Sequence, residues 1–180
     1  MNILLLGAGA LGSLFGARLQ SAGCTPILYG LNTEHLQAVA KHSLRVDELD
    51  GSQSSRQLRV CLDPQNIDHS PDAVLVLVKS YATGTAVSSI LPYCHDRTVF
   101  VTVQNGMGNW EQIATHVPAA RILAGVTSQA ATMIGPGHIR HGGNGPTVLG
   151  AVQEPGPKEL PELIRLLEKA GLEGEATDQV

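Results

Sequence analysis

The feature that most constrains this chain is a glycine-rich turn close to its start. An apolar run, Ile3 to Leu6, leads directly into Gly7-Ala8-Gly9-Ala10-Leu11-Gly12. Beyond the turn, apolar and small residues recur at helical spacing as far as Ala22, and Gly23 stands where a helix would end. A continuous apolar run before such a turn is typical of a strand buried in a parallel sheet. The segment therefore predicts a strand, a tight turn and a helix, in that order.

The three glycines follow the pattern Gly-x-Gly-x-x-Gly, which has a specific meaning between a strand and a helix. The first glycine allows the tight turn, the second lets the backbone approach a pyrophosphate, and the third lets helix and strand pack closely. The N–H groups at the helix start offer a partial positive charge to phosphate. The residues that we predict to bind the pyrophosphate of a dinucleotide cofactor are Gly7, Ala8, Gly9, Ala10, Leu11 and Gly12.

Strand and helix patterns alternate along the rest of the chain, which predicts one domain, residues 1–180, with a doubly wound α/β fold of the Rossmann type and a mostly parallel sheet. Further strands are predicted at 26–29, 58–62, 73–78 and 99–103. Helices are predicted from the N-cap Thr33 onward and at 83–91, 110–115 and 159–170. Residues 47–56 are predicted to form an exposed loop or hairpin. Additional short strands at 122–133, 137–141 and 147–152 are expected to extend the same sheet, partly antiparallel.

Charge and cysteine content exclude several classes of function. The net charge is −4 and the 12 basic residues are scattered, so the sequence shows no nucleic-acid footprint. The three cysteines lack Cys-x-x-Cys spacing, which argues against a disulfide framework and a zinc site and favours a reducing cytoplasm. No apolar run is long enough for a membrane helix. The seven histidines lack metal-ligand spacing, so we expect no metal and interpret them as surface or sheet-edge residues.

Polar residues follow three of the predicted strands. Asn32 and Thr33 follow the second strand, and either bind the cofactor ribose or only cap the next helix. Lys79 ends the strongest strand pattern, where a ligand of an open parallel sheet binds, although a surface lysine is an equally good interpretation. Asn105 ends the next strand and offers a donor and an acceptor, but asparagine before glycine is also common in turns.

Four further motifs occur in order after the glycine turn, and together they make this sequence resemble the ketopantoate reductase (2-dehydropantoate 2-reductase) family. They are Val78-Lys79-Ser80-Tyr81, Gln104-Asn105-Gly106-Met107-Gly108, Gly125-Val126-Thr127 and Gly135-Pro136-Gly137-His138-Ile139. The resemblance runs over nearly the whole chain. It implies NADPH-dependent reduction of 2-dehydropantoate to pantoate, on the route to pantothenate, with a small 2-keto acid as substrate. It also implies that Lys79 and Asn105 have supporting catalytic and cofactor-binding roles and that Ala131 lies beside the nicotinamide.

Two departures from the family pattern modify these expectations. Leu31 stands where the family usually carries an arginine for the 2′-phosphate, so NADH is not excluded as the cofactor. The family's second, all-helical domain, which supplies the general-acid lysine and most substrate contacts, is expected to be absent from this chain. Two alternatives therefore stay open: a non-catalytic NAD(P)-binding or redox-sensing module, and a reductase of another 2-keto acid. Formation of a homodimer is also left open.

Overall fold

The chain forms two β-sheets that share one helix as a packing partner, in a computed structural model that describes residues 1–31 and 33–180. The strands are β1 (Ile3–Leu6), β2 (Ile27–Tyr29), β3 (Leu44–Asp47), β4 (Gln53–Arg56), β5 (Arg59–Cys61), β6 (Ala73–Val76), β7 (Val99–Thr102), β8 (Ile122–Thr127), β9 (Ala130–Gly135), β10 (His138–Gly143), β11 (Thr147–Ala151) and β12 (Gly174–Ala176). The helices are α1 (Ala10–Ser21), α2 (Glu34–His42), α3 (Thr83–Ile90), α4 (Asn109–Ala114) and α5 (Leu160–Lys169).

The larger sheet has the order β12-β11-β8-β7-β6-β1-β2-β5 and is mostly parallel, as predicted. Its six strands from β8 to β5 run parallel, β11 runs antiparallel to β8, and β12 runs parallel to β11. The strand order reverses between β1 and β6, because the chain leaves β1 toward β2 and later returns to β6 on the other side. Ligands of doubly wound sheets bind outside the carboxyl ends of the strands at such a reversal.

The central strands of this sheet are apolar on both faces because both faces are covered. Every residue of β1, β6 and β7 is buried. The apolar side chains divide into two clusters, one that contains Phe15 of α1 and one that contains Phe100 of β7. Burial on both sides explains why these strands are continuous apolar runs in the sequence rather than alternating ones.

The prediction that residues 122–133 and 137–141 extend the larger sheet is wrong for β9 and β10. These strands join the β3–β4 hairpin in a second sheet of order β4-β3-β10-β9. The reason lies in the inward-facing residues Leu44, Val46 and Ile139, which are at most 1% exposed. Their strands contact α1, and so the second sheet buries an apolar face that the larger sheet does not cover. Alternation predicts a strand but does not identify its partner.

Two histidines are buried, which corrects the expectation that all lie at the surface or at a sheet edge. His35 Nδ1 accepts the Gly137 N–H at 3.1 Å, and its Nε2 lies 2.9 Å from Ser13 Oγ. His141 Nδ1 accepts from Arg18 Nη2 at 2.8 Å, while its Nε2 donates to the Gly143 carbonyl at 3.0 Å. Burial lowers the pKa of both imidazoles, and the Arg18 charge lowers the pKa of His141 further. Both rings are therefore neutral links between α1 and its surroundings.

Candidate functional site

The turn after β1 has a backbone that requires glycine at two positions. Gly7 has φ of 115°, and a Cβ there would lie 2.5 Å from the Val78 nitrogen. A Cβ on Gly12 would lie 2.1 Å from the Gly7 carbonyl oxygen. Both contacts are to backbone atoms, which cannot move aside without displacing β6 or α1. The first and third glycines therefore hold the turn against the end of the neighbouring strand.

Gly9 is different, because a Cβ there would meet nothing within 4 Å. It is the exposed N-cap of α1, with no side-chain cap and no acidic residue in the first helical turn. The Ser13 N–H bonds the Gly9 carbonyl at 2.9 Å, so the N–H groups of residues 10–12 have no acceptor within the helix. Open space in front of bare N–H groups at a helix start fits a pyrophosphate.

The end of β2 lies beside this cradle. A Cβ on Gly30 would be 3.4 Å from the Ala8 nitrogen, and Leu31, the next residue, is 86% exposed. Thr33 caps α2 through its Oγ1, which accepts the Leu36 N–H at 3.3 Å, as predicted. Asn32, the other predicted ribose contact, lies outside the described residues. Leu31 is therefore an exposed residue that directly follows the close approach of β2 to the glycine turn.

Lys79 and Asn105 stand at the carboxyl ends of β6 and β7, on loops that are bonded to each other. Ser80 Oγ donates to the Asn105 carbonyl oxygen at 3.1 Å. The side chains of Lys79 and Asn105 are exposed and have no polar partner among the described residues. Because Gly7 packs on Val78, the structure brings the glycine turn, Lys79 and Asn105 to one edge of the sheet.

The Gln104 side chain connects the loops that follow β6 and β7. Its Nε2 donates to the Val78 carbonyl at 2.6 Å and to Thr83 Oγ1 at 2.9 Å, while its Oε1 accepts from Thr102 Oγ1 at 2.9 Å. The residue thereby fixes the backbone immediately before Lys79. In the sequence, Gln104 was recognised only as part of the motif that contains Asn105. Its place directly after the predicted strand at 99–103 was the signal that could have assigned it this role.

Asn109, at the start of α4, is a second residue that the sequence analysis missed. Its Nδ2 donates to the carbonyl oxygens of three successive residues, at 3.4 Å to Gln104, 3.1 Å to Asn105 and 2.9 Å to Gly106. Asn109 is 4% exposed, and within the described part of the chain its buried Oδ1 has no hydrogen-bond partner. A buried acceptor left unpaired costs about 1–3 kcal/mol, so the position is not optimised for stability alone.

Ala131 lies in the second sheet rather than at the end of a parallel strand. It stands opposite His141 in the β9–β10 register and packs against the apolar core that contains α1. Its expected place beside the nicotinamide stays a prediction. No cluster of three or more His, Cys, Asp or Glu able to hold a metal occurs in residues 1–31 and 33–180. Over the same residues, no helix is both long and apolar enough to cross a bilayer.

Comparison with protein families gives a match to the model described as ketopantoate reductase PanE/ApbA over residues 3–154. A 2-dehydropantoate 2-reductase of Halobacterium salinarum is 34% identical over 177 residues, 98% of this chain and 58% of that protein. A protein of the same name from Pyrococcus horikoshii is 30% identical over 180 residues, 100% of this chain and 57% of that protein. The chain thus spans somewhat over half the length of these relatives.

Solved structures with the same fold include reductases and a dehydrogenase. A putative 2-dehydropantoate 2-reductase from Enterococcus faecalis superposes with a TM-score of 0.91 at 28% identity, covering 100% of this chain and 58% of that one. A D-mandelate dehydrogenase solved with NADH and anilino(oxo)acetate gives a TM-score of 0.92 at 26% identity, with coverage of 100% and 58%. Both relatives carry the α/β fold described above.

Proposed function

This chain belongs to the ketopantoate reductase PanE/ApbA family, and we propose that it is the cofactor-binding part of an NADPH-dependent 2-dehydropantoate 2-reductase. The observation that carries the proposal is the open cradle at Gly9: α1 begins there without a side-chain cap, and a Cβ on Gly9 would meet open space. Its glycine turn packs on Val78, at the same edge of the sheet as Lys79 and Asn105. Relatives named 2-dehydropantoate 2-reductase support this choice of reaction. The family resemblance implies that the product is pantoate, on the route to pantothenate.

Two groups of residues would bind the cofactor, each a different part of it. The backbone of residues 7–12 holds the pyrophosphate, because it offers N–H groups and the positive end of the α1 dipole. Asn105 offers an amide to the carboxamide or a ribose hydroxyl, and Lys79 supplies positive charge at the same edge of the sheet. Ala131 is assigned to the nicotinamide end by the family resemblance. When bound, the nicotinamide supplies a hydride to the keto carbon.

Reduction of a keto group also needs a proton donor within about 3 Å of the carbonyl oxygen. Lys79 is exposed at the sheet edge and we assign it to the cofactor. The family resemblance places the general-acid lysine in an all-helical domain. We therefore expect residues 1–180 to bind the cofactor and to reduce the substrate slowly when they act alone.

The test follows the oxidation of NADPH by absorbance in the presence of 2-dehydropantoate. The first sample contains residues 1–180 alone. The second also contains the helical part of a reductase relative, added as a separate chain. Cofactor binding without turnover by the first sample, and turnover restored in the second, would support the proposal. Turnover of about 10 per second from residues 1–180 alone, a typical enzyme value, would contradict the assignment of the acid. Absence of dinucleotide binding would contradict the proposed function altogether.

A second candidate is the reduction of a different 2-keto acid with NADH. Two observations favour it: the exposed Leu31 beside the glycine turn, which offers no charge to a 2′-phosphate, and the likeness to a D-mandelate dehydrogenase solved with NADH. Titration with both cofactors and assays with 2-dehydropantoate and an aryl 2-keto acid separate the candidates. Tighter NADH binding and faster aryl keto acid reduction would favour the second.

A further inference from the structure

The loop between β7 and α4 contains two glycines that leave its backbone conformation weakly restricted. Gly106 and Gly108 have φ of 92° and 85°, in the left-handed region, and neither would bring a Cβ within 4 Å of another atom. A loop with two such residues has many accessible conformations in the absence of other constraints. The exposed Asn105 side chain is carried by this loop, so its direction depends on whatever fixes the loop.

Asn109 provides that constraint. Its Nδ2 meets three converging carbonyl oxygens, those of Gln104, Asn105 and Gly106, at 3.4, 3.1 and 2.9 Å. Three acceptors on one side determine which end of the amide faces the loop. The Asn105 carbonyl also accepts from Ser80, so the same oxygen is held from two directions.

The opposite end of the amide strengthens this interpretation. Asn109 Oδ1 is buried and unpaired among the residues that the structure describes. A residue that only filled space at the start of α4 would not need a buried acceptor without a donor. The contribution of Asn109 therefore lies in its two N–H groups, which are shared among the three converging carbonyl oxygens.

We propose that Asn109 is a positioning residue of the cofactor site, which acts through Asn105 by holding the 104–106 backbone so that the Asn105 side chain faces the dinucleotide. This inference rests on the proposed function, because it requires that Asn105 contacts the cofactor. Asn109 itself is only 4% exposed, so the role assigned to it is to position Asn105 rather than to contact the cofactor.

A double-mutant cycle tests the proposal in the full chain. The dissociation constants of NADPH and NADH are measured by nicotinamide fluorescence for the parent, Asn105→Ala, Asn109→Ala and the double variant. Asn109→Ala is expected to weaken binding about tenfold in the parent and by less than about twofold when Asn105 is already alanine. Asn109→Ser, which retains a hydroxyl donor, is expected to lose less affinity and provides a milder variant if alanine impairs folding.

Thr98→Val is the matched control. Thr98 Oγ1 donates to the Pro71 carbonyl at 2.6 Å and is fully buried, so it joins the segments before β6 and β7 at the opposite edge of the sheet. Its loss is expected to lower the melting temperature and to leave both dissociation constants unchanged. A comparable loss of stability without a loss of affinity separates a general structural effect from positioning.

Each outcome discriminates between the two claims. Equal losses of affinity from Asn109→Ala in both backgrounds, or no loss in the parent, would overturn the positioning role and leave the proposed function intact. No effect of Asn105→Ala on binding would contradict the cofactor contact of Asn105, and the positioning role would fail with it. No dinucleotide binding by the parent would contradict the proposed function itself.

Discussion

The fold requires glycine at positions 7 and 12, but it does not require glycine at position 9. At the first two positions a Cβ would meet backbone atoms at 2.5 Å and 2.1 Å, so the requirement comes from packing within the protein. At Gly9 a Cβ would meet open space, so the fold tolerates a side chain there. The sequence motif does not distinguish these cases, whereas the structure shows that, of these three glycines, only Gly9 has open space where a side chain would stand.

Cofactor choice is tested at Leu31. Because this side chain is exposed next to the glycine turn, we expect the unmodified chain to discriminate only modestly between NADPH and NADH. Leu31→Arg should improve NADPH binding relative to NADH by on the order of 1–3 kcal/mol, the range of a charge-assisted phosphate contact. Dissociation constants for both cofactors, from fluorescence titration, measure this shift.

The control is Leu49→Arg, which adds the same charge at an exposed leucine in the turn between β3 and β4. It should leave the ratio of the two dissociation constants unchanged. A thousandfold preference of the unmodified chain for NADPH would show that other residues already recognise the phosphate.

Contact between α1 and the sheet can be tested at two of its glycines. Gly12→Ala would place a Cβ against the Gly7 carbonyl, and we expect it to lower the free energy of unfolding by about 2–3 kcal/mol. Gly16→Ala would place a Cβ 3.1 Å from the ends of the Leu5 and Leu28 side chains, which can move, and alanine favours the helix by about 1 kcal/mol. Its net cost should be below about 1 kcal/mol. Urea unfolding measures both; equal losses would contradict this interpretation of the packing.

Helices and strands with a strong local sequence pattern could be predicted, whereas the pairing of strands with one another could not. β1 was predicted with its observed bounds, and Thr33 was correctly assigned as a cap, because an apolar run and a capping oxygen act locally. β6 ends at Val76, two residues earlier than predicted, because the chain there turns against Gly7. β12 was missed, because Gly174-Glu175-Ala176 has no apolar run and is a strand only through pairing with β11.

The candidate site could be predicted only in part for the same physical reason. The residues at strand ends, Lys79 and Asn105, follow from the strand pattern. The residues that fix their loops, Gln104 and Asn109, act through side-chain bonds to backbone carbonyls that are close only after folding. Such contacts leave no periodic signal in the sequence.

At the scale of the whole molecule, polar contacts tie α1 to the second sheet and its hairpin. Arg18 donates to Glu48 at 2.6 Å and to His141 at 2.8 Å, and Glu48 accepts from Ser54 at 2.7 Å. The bond from Arg18 to His141 requires an unprotonated Nδ1. Protonation of His141 would therefore oppose the attachment of the second sheet.

This attachment predicts a pH dependence of stability. The pKa of His141 is lowered in the folded state, so the unfolded chain binds a proton first as the pH falls through about 6.5. The free energy of unfolding should then decrease below about pH 6.5 until the folded-state pKa is passed. Urea unfolding at several pH values from 7.5 to 5 should show a smaller decrease for His141→Gln. The variant of an exposed histidine, His116→Gln, is the control, and an equal effect of both variants would contradict the prediction.

Dinucleotide titration of Gly9→Asp, beside its neutral isostere Gly9→Asn, tests most directly whether the chain holds a cofactor at the glycine turn. Both side chains enter open space at an N-cap, where they can accept helix N–H groups, so both variants should fold with an unchanged or raised melting temperature. We predict that the Gly9→Asp carboxylate repels the pyrophosphate and weakens NADPH and NADH binding about 100-fold or more, with a smaller loss for Gly9→Asn. Unchanged affinity in folded Gly9→Asp would contradict the proposed cofactor site.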